Sequence, residues 1–238
     1  MTLDGIAALT FDVFGTVVDW RGSLIREGDA LGRRTGLSAD WGGLADAWRG
    51  RYQPSMADVR EGRRPWTRLD DLHRESLDHL LPEFGLGGLD ETERAKFNLA
   101  WHRLDPWPDA VAGLDRLKRR FILATLSNGN VRLLVDMAKR ARLPWDAILG
   151  AEVTKAYKPQ RAAYLASADL LDLPPAQCLM VAAHYADLVE ARRNGFKTCY
   201  VWRRAEFGSL AKDDLPAAHD LDLVVEDFIE LADRLGCP

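Results

Sequence analysis

The segment LTFDVFGTVVDW, residues 9–20, sets the reading of the whole chain. It continues an apolar run from Ile6 that reads as a buried strand, and the run stops on a carboxylate, Asp12, with Gly15 permitting a turn shortly after. An acid at the carboxyl end of a strand is at home on the ligand-binding edge of a parallel sheet. The residue two places beyond it is Phe14 and not a second acid. That absence becomes decisive once the chemistry is considered.

Moving outward, residues 5–14 are strand-like, and the next strong strand signal is FILATLS, residues 121–127. The stretch between them is helical in pattern. LIREGDALGRR (24–34), LADAWRGRY (44–52), LDDLHRESLDHLL (69–81) and ETERAKFNLAWHRL (91–104) repeat apolar residues at spacings of three and four, with breaks at GLSAD, RRPW and LPEFGLGG. From PDAVAGLDRLKRR (108–120) onward, helical pieces alternate with the short β-rich runs AILGAEV, CLMVAA, TCYVW and LDLVVE. Such alternation predicts βα units, hence an α/β fold with a Rossmann-like parallel sheet. The expected division is a core of residues 1–17 and 104–238, with residues 18–103 inserted as a helical domain after the first strand.

Composition narrows the function classes. A chain of 238 residues with 47% hydrophobic content can bury one substantial core plus a smaller one. Its net charge of −4, with Lys and Arg dispersed, gives no basic run for nucleic acid. No run approaches the roughly 18 apolar residues of a membrane span, and no leader pattern opens the chain. Cys178, Cys199 and Cys237 stand far apart without metal-ligand spacing, which fits a reducing, cytoplasmic setting. The expected partner is therefore a small molecule.

Polar residues at strand ends carry the chemistry in such sheets, and four places qualify. Asp12 follows ALTF, Ser127 and Asn128 follow FILATL, Lys158 lies in the connection after AILGAEV, and His184 with Asp187 follows CLMVAA. Any one of them alone reads as a helix cap or a solvated loop residue. Two carboxylates, a lysine and a hydroxyl/amide pair at successive strand ends exceed what capping supplies.

These residues resemble the four ordered motifs of the haloacid dehalogenase superfamily: FDVFGTVVDW, LSNGN (126–130), YKP (157–159) and VAAHYADLVEARRNGFKT (181–198). The resemblance spans essentially the whole chain, with the helical insertion matching that superfamily's cap domain. LSNGN, VAAH and DPWPDAV (105–111) resemble the type II, L-2-haloacid dehalogenase branch in particular. Most members of the superfamily are magnesium phosphatases whose first motif is DxD, the second Asp handling the leaving group's proton. Here that place is Phe14, and the position of an acidic metal ligand four residues before Asp187 is Ala183. A phenyl ring exchanges no proton, and an alanine offers no oxygen to a hard cation. The expectation is thus metal-independent hydrolysis of short L-2-haloacids to D-2-hydroxyacids, with no cofactor. A magnesium phosphatase and a non-catalytic small-acid binder are the alternatives.

Halide leaves as an anion and needs no proton, so Asp12 is expected to act as a covalent nucleophile, forming an ester that water then hydrolyses. An anionic substrate beside Asp12 meets a repulsion of about 4 kcal/mol at about 4 Å for an effective dielectric near 20, which cations and donors must offset. Lys158 is the expected counter-ion, and Ser127, Asn128 and Thr16 are the expected donors toward the substrate carboxylate or the ester carbonyl. Asp187 either polarises the hydrolytic water or holds Lys158. By the same resemblance, Arg49 takes the halide, with Arg51 as the alternative, and Tyr164 matches a pocket tyrosine, a core aromatic on the RAAYLASADLL helix being the equal alternative. Phe14 and His184 complete the expected substrate set. His184 is read either as orienting or deprotonating the water or as a hydrogen-bonding residue at a strand end. Trp20, Trp48 and Trp107 are read as pocket wall or plain core. The resembled enzymes are commonly dimers, so a homodimer is an option.

Overall fold

The computed structural model describes residues 3–208 and 221–238. Among the described residues, six parallel strands form one sheet: β1 (Ala8–Phe11), β4 (Ile122–Ser127), β5 (Ala147–Gly150), β6 (Cys178–Ala182), β7 (Lys197–Val201) and β8 (Leu223–Val225), in the order β5-β4-β1-β6-β7-β8. A separate antiparallel pair joins β2 (Val18–Asp19) to β3 (Asp105–Pro106). The chain divides into two compact units, Met1–Asp19 with Asp105–Pro238, and Trp20–Leu104.

In the first unit β1 lies inside the sheet, hydrogen-bonded to β4 on one side and β6 on the other. Every residue of β1 is buried, as expected for a strand covered on both faces, which explains an unbroken apolar run where a half-exposed strand would alternate. The strand order reverses at β1, and in parallel sheets ligands bind beyond the carboxyl ends of the strands at such a reversal. Register then determines which residues meet there. Phe11 pairs with Thr125 on β4 and Val181 on β6, so Asp12, Ser127 and Ala183 emerge along one edge. The helices Val131–Ala141, Arg161–Asp169 and Tyr185–Arg193 follow β4, β5 and β6, as βα connections require. Tyr164, Ala168, Leu188, Ala191 and Phe196 pack with Met180 and Tyr200 into a continuous core.

The second unit is helical: α1 (Trp20–Thr35), α2 (Trp41–Arg60), α3 (Leu69–Glu83) and α4 (Glu91–Asn98), closing with a 3₁₀ turn over Leu99–Arg103. Two of the three sequence breaks lead into side-chain helix caps. Asp40 accepts from the Gly43 N–H and Asp90 from the Glu93 N–H, satisfying donors the first turns cannot. The core of this unit is aromatic. Trp48 packs edge-on to Trp101 at 5.6 Å, and Trp101 stacks on His73 at 4.3 Å. ETERAKFNLAWHRL was expected as one helix, and it tightens after Asn98. There the Asn98 amide donates to the Asp70 carbonyl, and His102 meets the Asp70 carboxylate at 3.1 Å, turning the last residues inward. Among the described residues no helix is long and apolar enough to cross a membrane.

Candidate active site

Asp12 follows the last residue of β1, and its N–H still donates to the Val181 carbonyl at 3.0 Å, so the neighbouring strand holds its backbone. The chain then turns through Gly15 at φ +84°, a left-handed conformation that a side chain disfavours, and this brings Thr16 back to the carboxylate. Thr16 Oγ1 donates to Asp12 Oδ2 at 2.8 Å and accepts the Ala183 N–H at 2.9 Å. Because that amide proton occupies one side of the oxygen, the hydroxyl proton is directed at Asp12.

Lys158 is buried, and its Nζ lies between two carboxylates, 2.9 Å from Asp12 Oδ1 and 2.5 Å from Asp187 Oδ2. Two further groups hold this bridge. The Lys158 N–H donates to Asn128 Oδ1 at 2.7 Å, and the Tyr164 hydroxyl donates to Asp187 Oδ1 at 2.6 Å. Burial alone would push Lys158 down and Asp12 up. Contact reverses both: Asp12 and Asp187 hold the lysine above its usual range, while Lys158 and His184 hold the Asp12 carboxyl well below the ordinary carboxylate range.

His184 closes the other side of Asp12. Its Nδ1 lies 2.9 Å from Asp12 Oδ2, and its Nε2 lies 2.9 and 3.1 Å from the two carboxylate oxygens of Glu206. Burial would lower the imidazole pKa, but the Glu206 charge and the hydrogen bonds to Asp12 and Glu206 outweigh it and raise it to about 10. Both ring nitrogens face carboxylates, so both carry protons and donate at neutral pH.

These contacts make the two oxygens of Asp12 unequal. Oδ2 accepts from Thr16 and His184, which engages both in-plane lone pairs, whereas Oδ1 accepts from Lys158 and keeps one lone pair for attack. The oxygens of Asp12 and the space between it and Asp187 are thus filled by an ammonium, a hydroxyl and an imidazolium, and Ala183 adds no ligand. This donor set does not fit magnesium. Among the described residues no cluster of three or more His, Cys, Asp or Glu side chains is placed to hold a metal.

A family model described as haloacid dehalogenase-like hydrolase matches residues 6–195. The chain belongs to this family. Among relatives of this haloacid dehalogenase-like hydrolase, (S)-2-haloacid dehalogenase 1 of Pseudomonas sp. (strain CBS-3) is 31% identical over 206 residues, 84% of this chain and 86% of that protein. The crystal structure of the L-2-haloacid dehalogenase PA0810 is 46% identical with a TM-score of 0.94, covering 98% of this chain and 99% of that one. The structure of the L-2-haloacid dehalogenase of Xanthobacter autotrophicus with chloropropionic acid covalently bound is 25% identical with a TM-score of 0.81, covering 97% and 98%.

Within this haloacid dehalogenase-like hydrolase the residues singled out from the sequence fall into three groups. Asp12, Thr16, Lys158, Asp187, Tyr164, Asn128 and His184 form one connected network. Ser127 is buried beside it and accepts the Gly129 N–H at 3.2 Å, and Phe14 is buried in the turn that follows Asp12. Arg49 belongs to the helical unit, where its guanidinium lies over the Tyr52 ring at 4.3 Å and the Trp20 ring at 5.5 Å, with Nη1 buried and without a hydrogen-bond partner. Arg51, by contrast, is half-exposed and pairs with Glu83.

Several sequence readings change. Tyr164 is fully buried with its hydroxyl on Asp187, so it supports a carboxylate and does not line open space. The Asn128 amide oxygen serves the Lys158 backbone, leaving its NH₂ as the donor. His184 does not face water as a base, because both of its nitrogens are directed at carboxylates. Asp187 touches Lys158 and Tyr164. Trp20 and Trp48 are aromatic core of the helical unit, and Trp107 Nε1 donates to the Gly15 carbonyl at 2.8 Å. Glu206 was missed. It lies in RRAEFG after TCYVW, at another strand end, and nothing in its spacing distinguishes it from a solvated acid.

Proposed function

We propose that this chain hydrolyses short L-2-haloacids to D-2-hydroxyacids through an ester on Asp12. The observation that carries this reading is the Asp12 carboxylate itself: buried, held ionised by Lys158 and His184, and with one lone pair of Oδ1 unengaged. In the first step Oδ1 attacks C2 of the substrate in line with the carbon–halogen bond. The bonding pair leaves on the halide, and C2 inverts. In the second step water attacks Asp12 Cγ and gives up a proton, and the resulting oxyanion collapses to expel the alkoxide of the product. That alkoxide takes up a proton, the carboxylate is restored, and one proton is released per turnover along with the halide.

Phe14 suits this leaving group, since halide needs no acid. The Asn128 NH₂ and the Ser127 hydroxyl receive the substrate carboxylate. Arg49 receives the halide, for which a guanidinium with an unpartnered nitrogen between aromatic rings supplies charge and donors. The free thiols of Cys178, Cys199 and Cys237 accord with a cytoplasmic enzyme.

The test is chloride release from (S)-2-chloropropionate in the presence of chelator, repeated with Asp12→Asn. A single turnover in ¹⁸O-water should place the label in Asp12 and not in the product. Direct appearance of label in the product, or no halide from several short haloacids, refutes the reading.

A further inference from the structure

A fifth strand end, that of β7, also returns to Asp12. Arg203, just beyond this strand, is anchored three ways: Nε donates to the Thr16 carbonyl at 2.8 Å, and its two terminal nitrogens meet the Asp109 carboxylate at 2.7 and 2.9 Å. One turn later the Glu206 N–H donates to the Arg203 carbonyl at 3.1 Å, which sends the Glu206 side chain inward until only 3% of the residue is exposed. Its carboxylate lies against Gly15, where an added Cβ would fall 2.1 Å from Oε1. Gly15 therefore both allows the turn and leaves room for an acid that touches His184 from the side opposite Asp12. An acid this deeply buried costs stability unless it is paired, and Glu206 pairs with the imidazole.

We propose that Glu206 is a positioning residue that holds His184 as a proton donor to Asp12 Oδ2, so that His184 and Thr16 together receive the oxyanion formed when water attacks the Asp12 ester. This rests on the ester reading above and assigns its second step. A neutral imidazole would have to turn a bare nitrogen toward one of the two carboxylates, placing lone pair against lone pair. With Glu206 in place both nitrogens carry protons, and the ring is fixed by a contact at each end.

The atom that receives these donors explains the arrangement. In the free carboxylate Oδ2 carries part of one negative charge, in the ester it is a carbonyl oxygen, and in the tetrahedral intermediate it carries the whole charge. Two donors already aimed at Oδ2 gain most at that last stage and need no reorganisation to do so. Among the described residues the charged groups facing the ring are Asp12, from the turn after β1, and Glu206, from the turn after β7. Lys158 lies one contact further away, on the other oxygen of Asp12.

The test is Glu206→Gln in the full-length enzyme with (S)-2-chloropropionate. The expected result is a burst of about one chloride per site at nearly the wild-type rate, followed by turnover slowed by about 10²-fold, the range for loss of one oxyanion donor. Intact-mass analysis should show the ester accumulating on the Asp12 peptide, and Glu206→Asp should restore part of the steady rate. Imidazole ¹⁵N shifts give a substrate-free readout. Both His184 nitrogens should be protonated at pH 8 in the wild type, and the ring should be neutral in Glu206→Gln. If the variant turns over like the wild type, slows both steps equally, or leaves the His184 shifts unchanged, the assignment is overturned. Wild-type enzyme that releases no chloride at all refutes the ester reading instead, and the two failures are told apart by the shifts.

Discussion

Replacing Lys158 with Met keeps the length of the side chain and removes the cation that lies between Asp12 and Asp187 among the described residues. The two carboxylates then face each other across the space the ammonium filled. At about 5 Å and an effective dielectric near 20 their repulsion is about 3 kcal/mol. With the ammonium's offsetting attraction gone, the Asp12 pKa rises. Because the lysine is buried with its partners, its loss also leaves uncompensated charge, and the expected destabilisation is about 3–5 kcal/mol. At about 2–4 °C per kcal/mol for a chain of this size, Tm should fall by roughly 10 °C.

The sign is definite. Asp12 is held below its unfolded value, so its contribution to stability is present above the ordinary carboxylate range and disappears only as pH falls through the depressed folded pKa. In the Met variant that loss begins at higher pH, and the acid limb of chloride release moves up with it. Urea melts between pH 4 and pH 8, together with a pH–rate profile, read both effects. A variant as stable as the wild type, or one with an unmoved acid limb, refutes the account of Lys158 as the charge that keeps Asp12 ionised.

Two further predictions rest on histidines displaced in opposite directions. His184 is raised to about 10, so its contribution should be complete below its unfolded value near 6.5 and lost as pH rises toward 10. The stability gap between wild type and His184→Gln in urea melts should narrow across that window, and parallel curves would count against the imidazolium. His73 is held down to about 3 by burial, in a stack on Trp101 with neither ring nitrogen hydrogen-bonded. Acid therefore charges it more readily in the unfolded chain, and His73→Phe should lose less stability than the wild type between pH 6.5 and pH 3 in thermal melts, whereas an equal loss shows that the ring is not the acid-sensitive group.

Local pattern determined much of this protein. The uninterrupted burial of β1, the three-and-four spacing of the inserted helices, and the caps at Asp40 and Asp90 are short-range consequences of side-chain chemistry, and they are visible in the order of residues. The same holds for the chemistry at strand ends, because a parallel sheet gathers those ends on one edge whatever the loops between them do. Phe14 and Ala183 argued against magnesium from their identities alone.

Only the tertiary structure decided what each group does to its neighbour. Lys158 and Asp12 are 146 positions apart in the chain, and their contact depends on the register of β5, β4 and β1, which no local pattern encodes. Tyr164 sits in the RAAYLASADLL pattern, which suits a core or a pocket residue alike, and only the fold puts its hydroxyl on Asp187. Glu206 had no distinguishing sequence context. Its importance comes from the Arg203 anchor, from the space left at Gly15 and from a histidine one strand away. An acid in a loop is ordinarily solvated, and the fold alone supplies the burial and the partner that turn its charge into control over the proton on His184.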